Sequence, residues 1–206
     1  MQNAKSRSGQ LPTSPSQASG FTLIEVLVAM VVLAFGLLGM VGLQAASLQA
    51  NRDARLQATA INLAKELAEM LRGNKNQAIL ATGNPYLGSF TTSPLIPANP
   101  SYCLAVGNTS CASDAETARA ELTDWLARVE AELPGARVAI CQDTAPYDSD
   151  GRPQWACTTA AATDPIVVKI GWNRATTRKA VASTDSAIDQ ATRPSIILPV
   201  TAGSTV

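Results

Sequence analysis

The chain has 206 residues, with 16 basic and 16 acidic side chains and no histidine. That length holds one domain of ordinary size plus an appendage rather than two generous cores, and a net charge of zero excludes generic affinity for nucleic-acid phosphates. Without histidine no Ser–His or Cys–His pair exists, which removes the commonest route of proton-transfer catalysis.

The first 20 residues carry Lys5 and Arg7 and no acid. Only Glu25 interrupts the apolar residues that follow Gly20 with a charge, and from Val26 to Leu43 come 18 consecutive apolar or glycine residues. With Phe21–Ile24 the stretch reaches the ~20 residues that span a bilayer as helix. Lys5 and Arg7 precede it, so the positive-inside rule places the bulk of the chain outside the cytoplasm. A cleavable secretory signal has its small residues after the apolar run. Here Ala18-Ser19-Gly20 stand before it, so cleavage after Gly20 leaves the helix in the mature protein with Phe21 first. A lone carboxylate in hydrocarbon is costly and is normally paired or functional.

Gly20-Phe21-Thr22-Leu23-Ile24-Glu25 followed by an apolar helix resembles the class III signal of type IV pilins and pseudopilins. The resemblance implies cleavage after Gly20 by a prepilin peptidase, N-methylation of Phe21, and pairing of Glu25 with the terminal amine of a neighbouring subunit. Family leaders often place a basic residue close to the cut, whereas Gln17-Ala18-Ser19 stand there in this chain. Within the family the early Val-rich run, the stem and the late Ile166-Val167-Val168-Lys169-Ile170-Gly171-Trp172-Asn173 are most similar to PilV-type minor pilins.

Gly36, Gly39 and Gly42 recur every third residue of the apolar half. Glycine costs about 1 kcal/mol against alanine in a helix interior, so these positions weaken the helix. Two readings stay open and are compatible: close packing of helices on small residues, and local melting or bending on leaving the bilayer, which the resemblance implies. Beyond residue 50 an amphipathic stripe follows, with Leu56, Ala60, Leu63, Leu67 and Met70 on one face. It ends at Arg72-Gly73-Asn74, where a cation and then glycine suit a helix C-terminus. At 1.5 Å per residue, Phe21 to Arg72 predicts a rod of roughly 80 Å.

Gln77–Ser101 reads as loop, broken by Gly83-Asn84-Pro85, Pro94, Pro97 and Pro100. Ser113-Asp114-Ala115-Glu116 is a capping box, and Ala118, Leu122, Trp125, Leu126, Val129 and Leu133 form one face of a second helix ending at Pro134-Gly135. Strands are expected at Arg137–Cys141, at Pro165–Trp172 with Ile166, Val168, Ile170 and Trp172 on one face, and at Ser195–Val200, where Pro199 suits an edge. Asp143–Pro153 reads as a turn-rich loop and Asn173–Pro194 as a long connection, in which Arg174, Arg178 and Lys179 are candidates for a local basic patch.

Four cysteines, Cys103, Cys111, Cys141 and Cys157, lie downstream of the apolar block, which fits two disulfides in an oxidising compartment. Zinc is the competitor, but no spacing is C-x-x-C. Of three possible pairings the expectation is Cys103 with Cys111 and Cys141 with Cys157, which the sequence alone does not fix. Asp148-Ser149-Asp150-Gly151 resembles part of a calcium loop without its later ligands and reads as a solvated turn, to which Asp143 could add an oxygen. Trp125, Trp155 and Trp172 read as packing residues. No catalytic constellation converges, so neither an enzyme, a cofactor nor a metal site is expected.

The expected fold is α+β, like the pilin fold: a long N-terminal helix, half membrane-spanning and half amphipathic stem, packed on a small antiparallel sheet with one further helix. Residues 1–20 form a leader, 21–50 the membrane or filament-core helix, and 51–206 a periplasmic head including the stem to about residue 72. The resemblance implies a minor pilin that primes type IV pilus assembly, expected in a complex at the tip. Its implied partners are other minor pilins, the major pilin, a tip adhesin and the prepilin peptidase, with roles in pilus biogenesis, adhesion and twitching motility. It also implies a single pass through a bacterial inner membrane before export to the surface fibre. The alternatives are a minor pseudopilin of a type II secretion system and a signal-anchored periplasmic binding module or enzyme.

Overall fold

The computed structural model describes residues 20–108, 110–159, 161, 164–173 and 192–202. Most of the leader, including Lys5 and Arg7, and the Arg174, Arg178 and Lys179 patch lie outside those residues. The first long helix, α1, runs from Leu23 to Gly73. Contacts divide the chain into two compact units, one up to Leu48 and one from Gln49 onward.

In the first unit α1 presents large apolar side chains to the outside all round, among them Leu27, Leu33, Phe35, Leu38 and Leu43. A helix apolar on every side belongs in lipid or among other helices. Among the described residues α1 is the one helix long and apolar enough to cross a membrane.

The second unit is a layered α+β head. From residue 56 onward α1 changes character. Ala60, Leu63, Ala64, Leu67, Ala68 and Leu71 are buried, with Leu56 and Met70 packed beside them. The small alanines let the neighbouring elements approach the helix closely. A short helix α2, Lys75–Ala78, follows at once, and then strand β1, Gly88–Phe90. Both lie in the stretch expected from sequence to be loop or helix end; α2 and β1 together correct the reading of Gln77–Ser101 as unbroken loop. Helix α3, Asp114–Glu132, starts where the capping box predicts: Ser113 Oγ accepts from the Glu116 N–H at 3.2 Å, and Glu116 reaches back to the Ala112 N–H at 2.8 Å. Strands β2 (Arg137–Gln142), β3 (Ile166–Gly171) and β4 (Ile196–Val200) complete the set.

The four strands form one antiparallel sheet in the order β1-β2-β3-β4. β4 is an edge strand, which tolerates Pro199 because proline cannot donate to a further neighbour. Strand alternation sends Phe90, Val138, Ile140, Ile166, Val168, Ile170 and Val200 into one core with α1 and with Leu122, Trp125, Leu126 and Val129 of α3. Trp125, fully buried, also donates its indole N–H to the Leu63 carbonyl at 2.9 Å, which ties α3 to the stem.

The centre of the opposite sheet face is covered: Ala139, Val167 and Lys169 are buried, Arg137 and Cys141 half-buried, and Trp155, Ala156 and Cys157 from the segment between β2 and β3 lie against them. The Cys141–Cys157 disulfide holds that cover. Arg137 lies 4.2 Å from the centroid of the Trp155 ring, and Lys169 reaches the Ala156 carbonyl at 2.6 Å.

Candidate functional site

At the start of α1 the backbone itself prepares the N-terminus. Gly20 and Phe21 precede the helix and are exposed, and Thr22 caps it: the Glu25 N–H donates to Thr22 Oγ1 at 3.4 Å and to the Thr22 carbonyl at 3.1 Å. This cap was legible in the sequence as Thr-x-x-Glu but was missed beside the stronger Gly-Phe signal. In lipid no water satisfies a free helix N–H, so a side-chain cap there is worth more than at a protein surface. The Glu25 side chain is exposed and has apolar neighbours on its face, Val26, Ala29, Met30 and Leu33, with Phe21 at the end.

Helix continues unbroken through Gly36, Gly39 and Gly42. A Cβ added at any of the three would meet nothing within 4 Å. Each glycine therefore faces open space on the helix surface.

In the head, Cys103 is bonded to Cys111 and Cys141 to Cys157, with Cα separations of 5.1 and 6.3 Å. Cys141, Cys157 and Asp143 lie together, but both sulfurs are spent in the disulfide. Asp143 is also committed. Its Oδ1 accepts from the N–H groups of Ala145 (2.9 Å) and Thr158 (3.0 Å), and its Oδ2 sits 2.5 Å from Lys169 Nζ, both side chains being 0% exposed. Burial pushes the Asp143 carboxyl up, but the Lys169 ammonium and the two N–H donors outweigh it and hold it below its ordinary value. The sequence reading offered Asp143 as a spare oxygen for calcium; the structure instead makes it the counter-ion of a buried lysine.

Asp148 is likewise engaged. Its Oδ1 accepts from the N–H groups of Asp150 (3.0 Å) and Arg152 (2.8 Å), and its Oδ2 meets Arg193 at 2.7 Å. The Arg152 N–H first, and then Arg193, lower its pKa. Gly151 at φ 73° closes the turn.

Helix α3 fixes the long segment before it through three glutamates. Glu121 accepts from the Tyr86 hydroxyl at 2.6 Å, Glu130 from Ser93 and from the Leu95 N–H at 3.0 Å, and Glu116 from the Ala112 N–H. Burial, and then the bond to Glu121, push the Tyr86 phenol up, so it stays a donor at every physiological pH.

Residues 15–41 match the family model of the prokaryotic N-terminal methylation motif. This is the class III prepilin signal, consistent with a type IV pilin-like protein. No curated protein and no solved structure matches the chain.

Proposed function

We propose that the chain is a minor pilin, matured by cleavage between Gly20 and Phe21, held in the inner membrane by the apolar half of α1, and drawn from there into a type IV pilus. The observation that carries the reading is the register: a matched methylation motif, a cut site ahead of the helix, and Glu25 four residues after the new terminus on a helix that is apolar all round. An ammonium at Phe21 of one subunit and the carboxylate of another answer each other's desolvation when helices bundle, because a charge in hydrocarbon is tolerated when paired. Gly36, Gly39 and Gly42, small and facing open space, support close approach of those helices.

On this reading the subunit works by packing rather than by chemistry, priming fibre assembly in a complex with other minor pilins and a tip adhesin. Adhesion and twitching motility depend on that complex.

The test is to isolate fibres and membranes from cells carrying wild-type protein, Gly20→Leu or Glu25→Ala, and to analyse the N-terminal peptide by mass spectrometry. Wild-type protein in fibres should begin at N-methylated Phe21. Gly20→Leu should retain its leader and stay out of fibres, whereas Glu25→Ala should lose its leader and still be depleted from them. Functional protein that keeps Met1, or Glu25→Ala at normal abundance in fibres, overturns the proposal.

A further inference from the structure

None of the 32 charged side chains falls between Lys75 and Asp114. No charge therefore interrupts the exposed part of this segment, and the glutamates of α3 hold it at Tyr86, Ser93, Leu95 and Ala112. Several apolar side chains on it stay in solvent, including Ile79, Ile96, Leu104 and Val106. Interface centres are depleted of charge in this way, while arginine is enriched there.

A groove of about 480 Å³ opens in this surface, lined by residues such as Asn84, Ser89, Phe90, Ile96 and Asn99. One charged residue lines it, Arg119. That side chain is half-buried on α3, and among the described residues no carboxylate pairs with it. The glutamates nearest it in sequence, Glu116 and Glu121, are taken by Ala112 and Tyr86. All three residues of β1 line the same groove, and β1 is a terminal strand of the sheet, paired among the described strands with β2 alone.

We propose that this groove receives an extended apolar segment of another protein, added beside β1, with one carboxylate of that segment paired to Arg119. The charge pattern sets the occupant. A single guanidinium in an otherwise uncharged setting selects one acid and no base, and its planar fork favours a carboxylate held by two hydrogen bonds. The inference concerns the head alone, so it stands or falls apart from the role of Glu25.

The test places a photo-crosslinking amino acid at Ile96 in the full-length protein in its native membrane and maps each adduct by mass spectrometry. The expected adduct is to an apolar, acid-bearing segment of a different protein. Arg119→Glu should reduce its yield about tenfold or more, as loss and reversal of an interfacial charge partner does. Changing the mapped acid to arginine should restore the adduct in the Arg119→Glu background and not in the wild type. Arg119→Gln, which adds no repulsion, should give an intermediate yield and guards against misfolding of the reversed variant. Adducts only to second copies of this chain, yields indifferent to residue 119, failure of the charge swap, or no protein adduct at all would each overturn the proposal.

Discussion

Replacing Lys169 by methionine should expose how the outer face of the sheet is held. The methionine fills similar volume but leaves the Asp143 carboxylate fully buried with only the Ala145 and Thr158 N–H groups to answer it. Removing one partner of a buried ion pair typically costs about 3–5 kcal/mol, against near-neutral replacement of both partners together. Lys169→Met should therefore lose about that much at pH 7. The double variant Lys169→Met/Asp143→Asn, whose amide oxygen still accepts both N–H groups, should recover part of that loss, the remainder being the Asn amide and the Ala156 carbonyl left without Lys169.

The pH dependence follows from linkage. In the wild type the folded pKa of Asp143 lies below its unfolded value of 3.8, so its contribution is full above that value and is lost as pH falls through the folded pKa. In Lys169→Met, burial of the carboxyl is no longer offset by the ammonium, so its folded pKa rises and protonation relieves the strain. The gap between variant and wild type should be widest at neutral pH, begin to close as pH falls through the variant's raised pKa, and close further as the wild type loses its own contribution below about pH 4. Urea unfolding of the full-length protein in detergent reads this through Trp125, Trp155 and Trp172, all in the head. A loss under about 1 kcal/mol at pH 7, or a gap that fails to close in acid, refutes the argument.

Two further outcomes concern backbone constraint. Pairwise Cys→Ser replacement should lower the free energy of unfolding, read from urea titrations, by about 3 kcal/mol for Cys141–Cys157 and about 2.5 kcal/mol for Cys103–Cys111, because the first closes the longer loop (sequence separation 16 against 8). The reverse order in the same unfolding series would point to a native-state effect rather than loop closure. Gly135→Ala should cost about 1–2 kcal/mol from its left-handed backbone alone. Gly135 sits at φ 60°, and an added Cβ would lie 2.4 Å from Asn173 Nδ2; an unchanged thermal midpoint would mean that the turn relaxes freely.

Much of the architecture was legible because it is written in local pattern. The stem stripe, the Ser113–Glu116 box and the alternation of Ile166, Val168 and Ile170 each bury what their period says they bury. β1 was not legible: three residues, one of them glycine, carry no alternation. Its place is set by distant partners, through pairing with Val138–Ile140 and the anchoring of Tyr86 on Glu121. Lys169 was missed for a related reason. On a strand with one solvated face it would point to water, and nothing near it in sequence says that Asp143 and Ala156 will close over it. At the N-terminus the motif was clear because it is one linear stretch of chain, residues 15–41, whereas the groove around Arg119 gathers residues from three separate segments.

The head is built around the C-terminal part of α1, with Ala60, Leu63, Ala64, Leu67, Ala68 and Leu71 at its centre. A protease that nicked the chain between Ala60 and Leu71 would therefore cut through the interior of the domain itself, and the stretch should resist digestion for as long as the head stays folded.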